Sequence, residues 1–334
     1  MDDPSPPRSM NSPVFLDCDE VKRRLDARLG PVHARQRLGI ERDHEAQAFG
    51  QGLTLLHMEN LPFSHAVIEG VLRLTGMFWV GRHNAARVRV LTHEVVSDRL
   101  PASFDGYTIL HLTDLHCDMN PRAMANIARL IDGLDYDLCV WTGDYRGQTY
   151  GDYKPCLQGL LRLREAITTD VYAVLGNHDT ICMAPDMERM GVRVLLNENV
   201  SIERRGARVY LAGVDDAHFY RVDNIEKAAA DLPDEDFSIL LSHTPEIYRQ
   251  AAHAGFRLML CGHTHGGQIC LPGGIPLTLD AAIPRRLGRG AWKFGAMTGY
   301  TSVGAGSSIV PVRFNCPPEI TLHRLLRRNV SPSQ

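Results

Sequence analysis

The sequence predicts an α/β fold built on mixed sheets, and three observations predict it. Five apolar, β-like runs at 107–113, 137–142, 171–175, 237–242 and 257–261 each end in residue types that ligate metals. Helix-like segments alternate with these runs from Gly106 onward. The runs at 200–203 and 208–214 instead flank Arg205-Gly206-Ala207, the pattern of an antiparallel hairpin, which a purely parallel sheet would not contain.

Taken in order, residues 1–60 read as a polar N-terminal arm, partly disordered or helical. Its start is rich in Pro, Ser and Asp, and 19–51 is dense in charge with few large apolar side chains. Residues 61–105 read as an amphipathic helix and a lead-in strand at 88–96. From Phe63 to Val80, Val67, Val71, Leu74 and Phe78 share a helical stripe widened by Ile68, Leu72 and Trp79, with Glu69 and Arg73 opposite. Two placements fit: packing on the rest of the chain, or lying on an anionic membrane with Arg82, His83, Arg87 and Arg89 among the headgroups. Residues 106–326 read as the catalytic domain, with helices at 122–131, 155–167, 186–190, 224–230 and 246–252 and a last strand at 312–324 interrupted by Pro317-Pro318. The glycine-rich stretch from Leu271 to Ser308 carries Arg285, Arg286, Arg289 and Lys293 and reads either as a substrate lid or as a surface excursion. Residues 327–334 read as a disordered tail.

Composition narrows the function. A net charge of -3 over 334 residues argues against a general polyanion binder, and no basic and aromatic track is evident, so no nucleic acid is expected. The 8 cysteines form no C-x-x-C pair and several sit in apolar runs, so they read as packing residues in a reduced setting. The amino terminus lacks the basic start and apolar core of a secretory signal, and no stretch reaches the ~18 uncharged apolar residues of a membrane span. The expected location is cytoplasmic, with peripheral contact at the inner membrane face if the amphipathic segment binds lipid.

The chemistry lies in the five clusters. Asp114 and His116 are two apart, so on a continuing strand they point to one side and one metal could take both. Asp144 has two carboxylate oxygens, enough to bridge two cations at the roughly 3.5–4 Å separation used by two-metal hydrolases. Asn177 offers an amide oxygen and His243 an imidazole, a mixed set suited to manganese first, with iron or zinc as alternatives. His263 and His265 repeat the two-residue spacing but lie on a glycine-rich turn, where they could serve different metals. His178, adjacent to Asn177, would face the substrate as proton donor to the leaving oxygen, with Asp179 holding its imidazole in the right tautomer. His57, His65, His83, His93, His111, His218, His253 and His323 lack this context and read as structural.

The ordered motifs Asp114-Leu115-His116, Gly143-Asp144, Gly176-Asn177-His178-Asp179, His243 and Gly262-His263-Thr264-His265 resemble the signature of the calcineurin-like metallophosphoesterase superfamily. The resemblance spans about 106–326 and implies a four-layer β-sandwich of two mixed sheets flanked by helices, with two divalent ions at one edge. It implies Asp114, His116 and His265 on one ion, Asn177, His243 and His263 on the other, Asp144 between them and His178 as the acid. The run from Gly262 to Ile269 and the tail Arg313-Phe314-Asn315-Cys316-Pro317-Pro318-Glu319-Ile320-Thr321 are similar to a bacterial branch of small phosphodiesterases and an atypical UDP-2,3-diacylglucosamine pyrophosphatase. The better-known hydrolase of that lipid carries Arg where this chain has His178. The expected activity is therefore hydrolysis of a phosphodiester or pyrophosphate, with a lipid- or nucleotide-linked substrate such as UDP-2,3-diacylglucosamine. A soluble phosphodiesterase or phosphatase is the alternative, and a non-catalytic metal-binding scaffold the third.

Overall fold

The computed structural model describes residues 15–48 and 62–328. The first expectations for the arm and the tail lie partly outside these residues, at 1–14, 49–61 and 329–334. The elements in chain order are α1 (Cys18–Leu29), α2 (Pro31–Ala48), α3 (Pro62–Leu74), α4 (Met77–Ala85), β1 (Arg89–Ser97), β2 (Thr108–Leu112), α5 (Pro121–Asp132), β3 (Leu138–Thr142), α6 (Lys154–Glu165) and β4 (Val171–Val174). They continue as α7 (Ala184–Arg189), β5 (Val192–Val194), β6 (Glu198–Arg204), β7 (Ala207–Gly213), α8 (Ile225–Ala228), β8 (Ser238–Leu241), α9 (Tyr248–His253) and β9 (Leu258–Cys261). Last come β10 (Cys270–Leu271), β11 (Ile275–Pro276), β12 (Gly290–Phe294), β13 (Met297–Thr301) and β14 (Glu319–Arg327).

Two six-stranded sheets form, in the orders β1-β14-β2-β3-β4-β5 and β12-β13-β9-β8-β7-β6. Both are mixed: β2 to β5 and β7 to β9 run parallel, while β14 is antiparallel to β2 and β6 is antiparallel to β7. The last strand begins just after Pro317-Pro318 because proline cannot donate into a ladder. Between the sheets lies a dry layer that includes Ile109, Val140, Val174, Leu211, Ile239 and Leu260. A second apolar layer joins α5 and α6 to the outside of the first sheet through Ile127, Leu157, Leu160 and Trp141, and a third joins α9 to the second sheet. These are the four layers expected.

Three expectations change. The N-terminal arm is helical over Cys18–Leu29 and Pro31–Ala48 but packs as part of the fold rather than standing off as a polar arm: Val21, Leu25 and Ala34 enter the first outer core, and the Arg37 side chain is fully buried against Asp215 at 2.9 Å and Glu41 at 2.6 Å. Sparse apolar spacing hid this, because the contact is made largely by a buried ion pair. The single helix expected from Phe63 to Val80 is two helices, broken where Gly76 takes φ 73° and the Thr75 hydroxyl donates back to the Val71 carbonyl at 2.9 Å. Phe78 alone of the described stripe residues Val71, Leu74 and Phe78 is buried, against Val310 and Val312. Finally, the stretch from Leu271 to Ser308, which reads as either a lid or a surface excursion, is in part regular sheet: it includes β11, β12 and β13, and the β12–β13 hairpin extends the second sheet and buries Trp292.

Candidate metal centre

The carboxyl ends of β2, β3 and β4 lie side by side in one sheet, and those of β8 and β9 in the other. All five clusters therefore open at one edge of the sandwich, where ligands collect in open α/β sheets. The turns that follow are strained: Asp114 (φ 51°), His116 (φ 40°), Asp144 (φ 55°), His263 (φ 72°) and His265 (φ 49°) all adopt the left-handed region. Backbone bonds hold them there, with Asp114 N–H donating to Gly143 O and His116 N–H to Asp144 O. Two glycines explain the close approach. A Cβ at Gly176 would stand 2.2 Å from Asp144 Oδ1, and one at Gly262 would stand 2.3 Å from Asp114 Oδ2.

The side chains converge in two buried groups, Asp114 with His116 and His265, and Asp144 with His243 and His263; within each group the ligand atoms lie within 4.8 Å of one another. In the first, His116 Nε2 faces His265 Nε2 at 3.2 Å, and His265 Nε2 lies 3.4 Å from Asp114 Oδ1. In the second, His243 Nε2 stands 3.2 Å from Asp144 Oδ2, 3.2 Å from His263 Nδ1 and 2.9 Å from Asn177 Oδ1. Partners behind the rings set their orientation. His116 Nδ1–H donates to Arg146 O at 2.5 Å and His243 Nδ1–H to Thr142 O at 2.8 Å, which turns each Nε2 toward the centre.

Electrostatics separate the groups. Burial pushes the Asp114 carboxyl up to about 6, against the pull of His243 and with the push of Asp144. Burial also acts to raise Asp144, but the His243 and His178 charges outweigh it and hold that carboxyl well below its usual range. For His243 burial opposes the proton, yet Asp144 and Asp114 raise it to about 10. Burial lowers His116 to about 4 and takes His263 and His265 well down, so these imidazoles are neutral, the ligating form.

His178 lies at the rim of this centre. Its Nε2 is 3.9 Å from Asp144 Oδ2, and Nδ1 is paired with Thr149 Oγ1 at 2.9 Å rather than with Asp179. The Asp179 carboxylate is spent elsewhere, accepting N–H bonds from Asp144 (2.8 Å), Tyr145 (2.9 Å) and Gly176 (2.9 Å). It ties the β3 and β4 loops together, and the orienting role expected from its place in sequence falls to Thr149.

Other neighbours were not legible as site residues. Arg313, fully buried, donates to the Val303 and Gly306 carbonyls and stands 3.2 Å from His265 Nδ1. His218, read as structural, lies with its ring 4.2 Å from that of His263 and pairs with Glu246 at 2.9 Å. With His263 and Asp280 it makes a third group of close ligand atoms. Glu41 of α2 accepts from Thr180 Oγ1 at 2.6 Å and Ile181 N–H at 2.8 Å, the residues that follow Asp179. His111, inside β2, links Thr142 Oγ1 (2.8 Å) to His323 (3.2 Å) away from the donors, in keeping with the structural reading.

Comparison with known proteins agrees with this architecture. A sequence model described as calcineurin-like phosphoesterase matches residues 107–267. The chain is 29% identical over 266 residues to the uncharacterized metallophosphoesterase YkoQ of Bacillus subtilis, covering 76% of this chain and 97% of that protein. It is 30% identical over 275 residues to a bovine (Bos taurus) transmembrane protein with metallophosphoesterase domain, covering 75% of this chain and 60% of that one. The phosphodiesterase YaeI of Escherichia coli is 28% identical over 237 residues, 66% of this chain and 82% of its own length.

Proposed function

The chain belongs to the calcineurin-like phosphoesterases and is a metal-dependent phosphoric ester hydrolase; from that premise we propose that it cleaves a phosphodiester or pyrophosphate bond, with His178 as proton donor to the leaving oxygen. The observation that supports this most is the convergence of two buried donor groups at one sheet edge, the second containing Asp144, with His178 Nε2 3.9 Å from Asp144 Oδ2. In this reading Asp114, His116 and His265 would hold one divalent ion and Asn177, His243 and His263 the other, with Asp144 as the carboxylate that would serve both. The donor set fits such ions. Imidazole nitrogens meet each other at 3.2 Å, with carboxylate and amide oxygens around them and no thiolate among them, which suits manganese before iron or zinc; His116, His263 and His265 are already neutral, and His243 would release its proton to an ion.

Bound there, the ions supply Lewis acidity and a water of lowered pKa. The chain supplies position and the proton. Thr149 holds the far nitrogen of His178, leaving Nε2 to carry the proton beside Asp144. Asp179 fixes the backbone of Asp144 and Gly176, so that the carboxylate and Asn177 keep their separation. The name of the YaeI relative favours a diester over a monoester. A lipid- or nucleotide-linked diester or diphosphate is the substrate class we favour, and a small soluble diester is the alternative.

The test is manganese-dependent turnover of bis(4-nitrophenyl) phosphate and of a dialkyl diester with a poor alkoxide leaving group, glycerophosphoethanolamine, with Asp144→Asn and His178→Ala variants; turnover of UDP-2,3-diacylglucosamine by the wild type tests the lipid-linked substrate class separately. Asp144→Asn should abolish turnover of both diesters. His178→Ala should lose on the order of 10²–10⁴-fold on a poor leaving group and much less on nitrophenolate, which departs without a proton. Equal, unchanged rates on both would remove His178 from the role.

A further inference from the structure

Among the described residues, twelve large apolar side chains stand exposed, and their distribution is not even. Six belong to α3, α4 and their junction: Ile68, Val71, Leu74, Met77, Trp79 and Val80, with Leu74 90% and Trp79 64% exposed. Three more, Leu271, Ile275 and Leu277, lie on or just after the β10–β11 hairpin. Scattered exposed apolar residues need no explanation, but a concentration of this kind on two neighbouring elements marks an interaction surface.

The two elements flank one strip of chain. On one side α4 sits directly on it: Arg313 N–H donates to Gly81 O at 3.0 Å, and a Cβ on Gly81 would strike Phe314 and Val312 at 2.7 Å. On the other side Phe314 pairs with Ile269 and accepts the Cys270 N–H at 2.9 Å. Phe78 plugs α4 into this strip, which leaves Trp79, Val80 and Leu74 turned outward.

The charge beside the apolar surface is of one sign. Glu69 is neutralised by Arg73 at 2.6 Å, while Arg82, His83, Arg87 and Arg89 follow without an acidic residue among them. Where α4 ends, a cavity of about 380 Å³ is lined by Arg87 and Arg89 with Asn84 and Asn315, two cations and two amides suited to a phosphate group, while the Arg313 side chain at its floor is turned inward to the Val303 and Gly306 carbonyls. Arg289 stands against the far side of the hairpin, donating to Gly274 O at 3.0 Å.

We propose that α3, α4 and the β10–β11 hairpin form a docking platform for an anionic phospholipid bilayer, with Leu74, Trp79 and the hairpin apolar residues entering the interface and the arginines meeting headgroups. Apolar insertion and basic attraction are the two signals that stable peripheral binding needs. No described helix is long and apolar enough to cross a membrane, and the contact proposed is with one face of the bilayer. The platform adjoins the metal centre: a Cβ on Gly267, two residues past His265, would meet Pro276 of the hairpin at 2.5 Å. Docking would therefore bring the edge that carries His265 to the lipid surface and favour a membrane-borne phosphate ester, a consequence that rests on the hydrolytic reading above, whereas the binding itself does not.

The test is co-sedimentation of the full chain with phosphatidylcholine vesicles, with and without phosphatidylglycerol, at low and high salt. Wild type should partition onto the anionic vesicles at least roughly tenfold more strongly than onto neutral ones, and salt should weaken it. Leu74→Glu/Trp79→Glu should lose that binding roughly tenfold or more, as should Arg82→Glu/Arg87→Glu, while turnover of bis(4-nitrophenyl) phosphate stays at the wild-type rate. Absence of wild-type binding, equal binding to neutral vesicles, or unchanged binding in both variants would overturn the platform. Binding that persists in an Asp144→Asn protein lacking turnover would separate docking from hydrolysis.

Discussion

Changing Asp179 to Asn distinguishes a carboxylate that orients His178 from one that clasps two loops. The Asp179 oxygens accept N–H bonds from Tyr145 at 2.9 Å and Arg146 at 3.4 Å on one side, and from Asp144 at 2.8 Å and Gly176 at 2.9 Å on the other. An Asn amide fills the same space but presents NH₂ on one side, so two of these donors face a donor instead. Burial and the Asp144 charge raise the Asp179 carboxyl to about 7, so with unfolding measured at a pH above that value, where it is ionised, a buried bond to a charged acceptor contributes about 1.5–3 kcal/mol and the stranded N–H adds to the loss, which places Asp179→Asn about 4 kcal/mol below wild type. Urea unfolding in EDTA measures this without ions, and manganese calorimetry on the folded variant should show weaker uptake because Asp144 and Gly176 lose their tether. An orienting residue would give the opposite pattern: stability within about 1 kcal/mol of wild type and a loss confined to turnover of poor leaving groups. That pattern would refute the clasp.

Arg37→Ala should destabilise the fold by about 3–5 kcal/mol in urea unfolding, because it strands Asp215, itself fully buried, and frees the α2 helix that holds Thr180 and Ile181; a change under about 1 kcal/mol would mean the arm contributes little. Gly176→Ala should weaken manganese binding at least tenfold in calorimetry, since its methyl group would lie 2.2 Å from Asp144 Oδ1 and 2.5 Å from Asp144 N. Acid should weaken the fold through His111, which burial lowers to about 3, and through His323, lowered well below its usual value by the same cause. The unfolded chain takes these protons below about pH 6.5 while the folded chain refuses them, so the stability is present above that pH and is lost as pH falls toward about 3, by up to about 1.4 kcal/mol per group per unit. A urea midpoint that shows the same pH slope in wild type and His111→Gln between pH 6 and 5 would contradict this.

How far the sequence carried the fold depended on what each element is made of. The strands that end at the five clusters are apolar runs closed by Gly-Asp, Gly-Asn-His or Gly-His, and their period and their breakers sit in the chain itself. The site residues were legible for the same reason: the chain delivers each to the end of a strand, and neighbouring strands do the rest. Contacts that form only in three dimensions were not. Nothing local distinguishes Arg37, in a helix with scarcely any apolar face, from a solvated arginine, because its partner Asp215 lies 178 residues away. Thr149 and Arg313 reach the site from loops without periodicity, and although Arg313 opens the tail that resembles the bacterial branch, nothing local places its side chain beside His265. The stripe from Phe63 to Val80 reads as one helix because its apolar period runs through Thr75-Gly76, and the break lies in the left-handed turn that Gly76 takes.

The central claim is that two ions share this edge with Asp144 between them. The most direct measurement is an anomalous difference map from a crystal grown with manganese. The account predicts two peaks roughly 3.5–4 Å apart, one bounded by Asp114, His116 and His265, the other by Asn177, His243 and His263, with the Asp144 carboxylate touching both. A single peak, or peaks placed away from these donors, would contradict it.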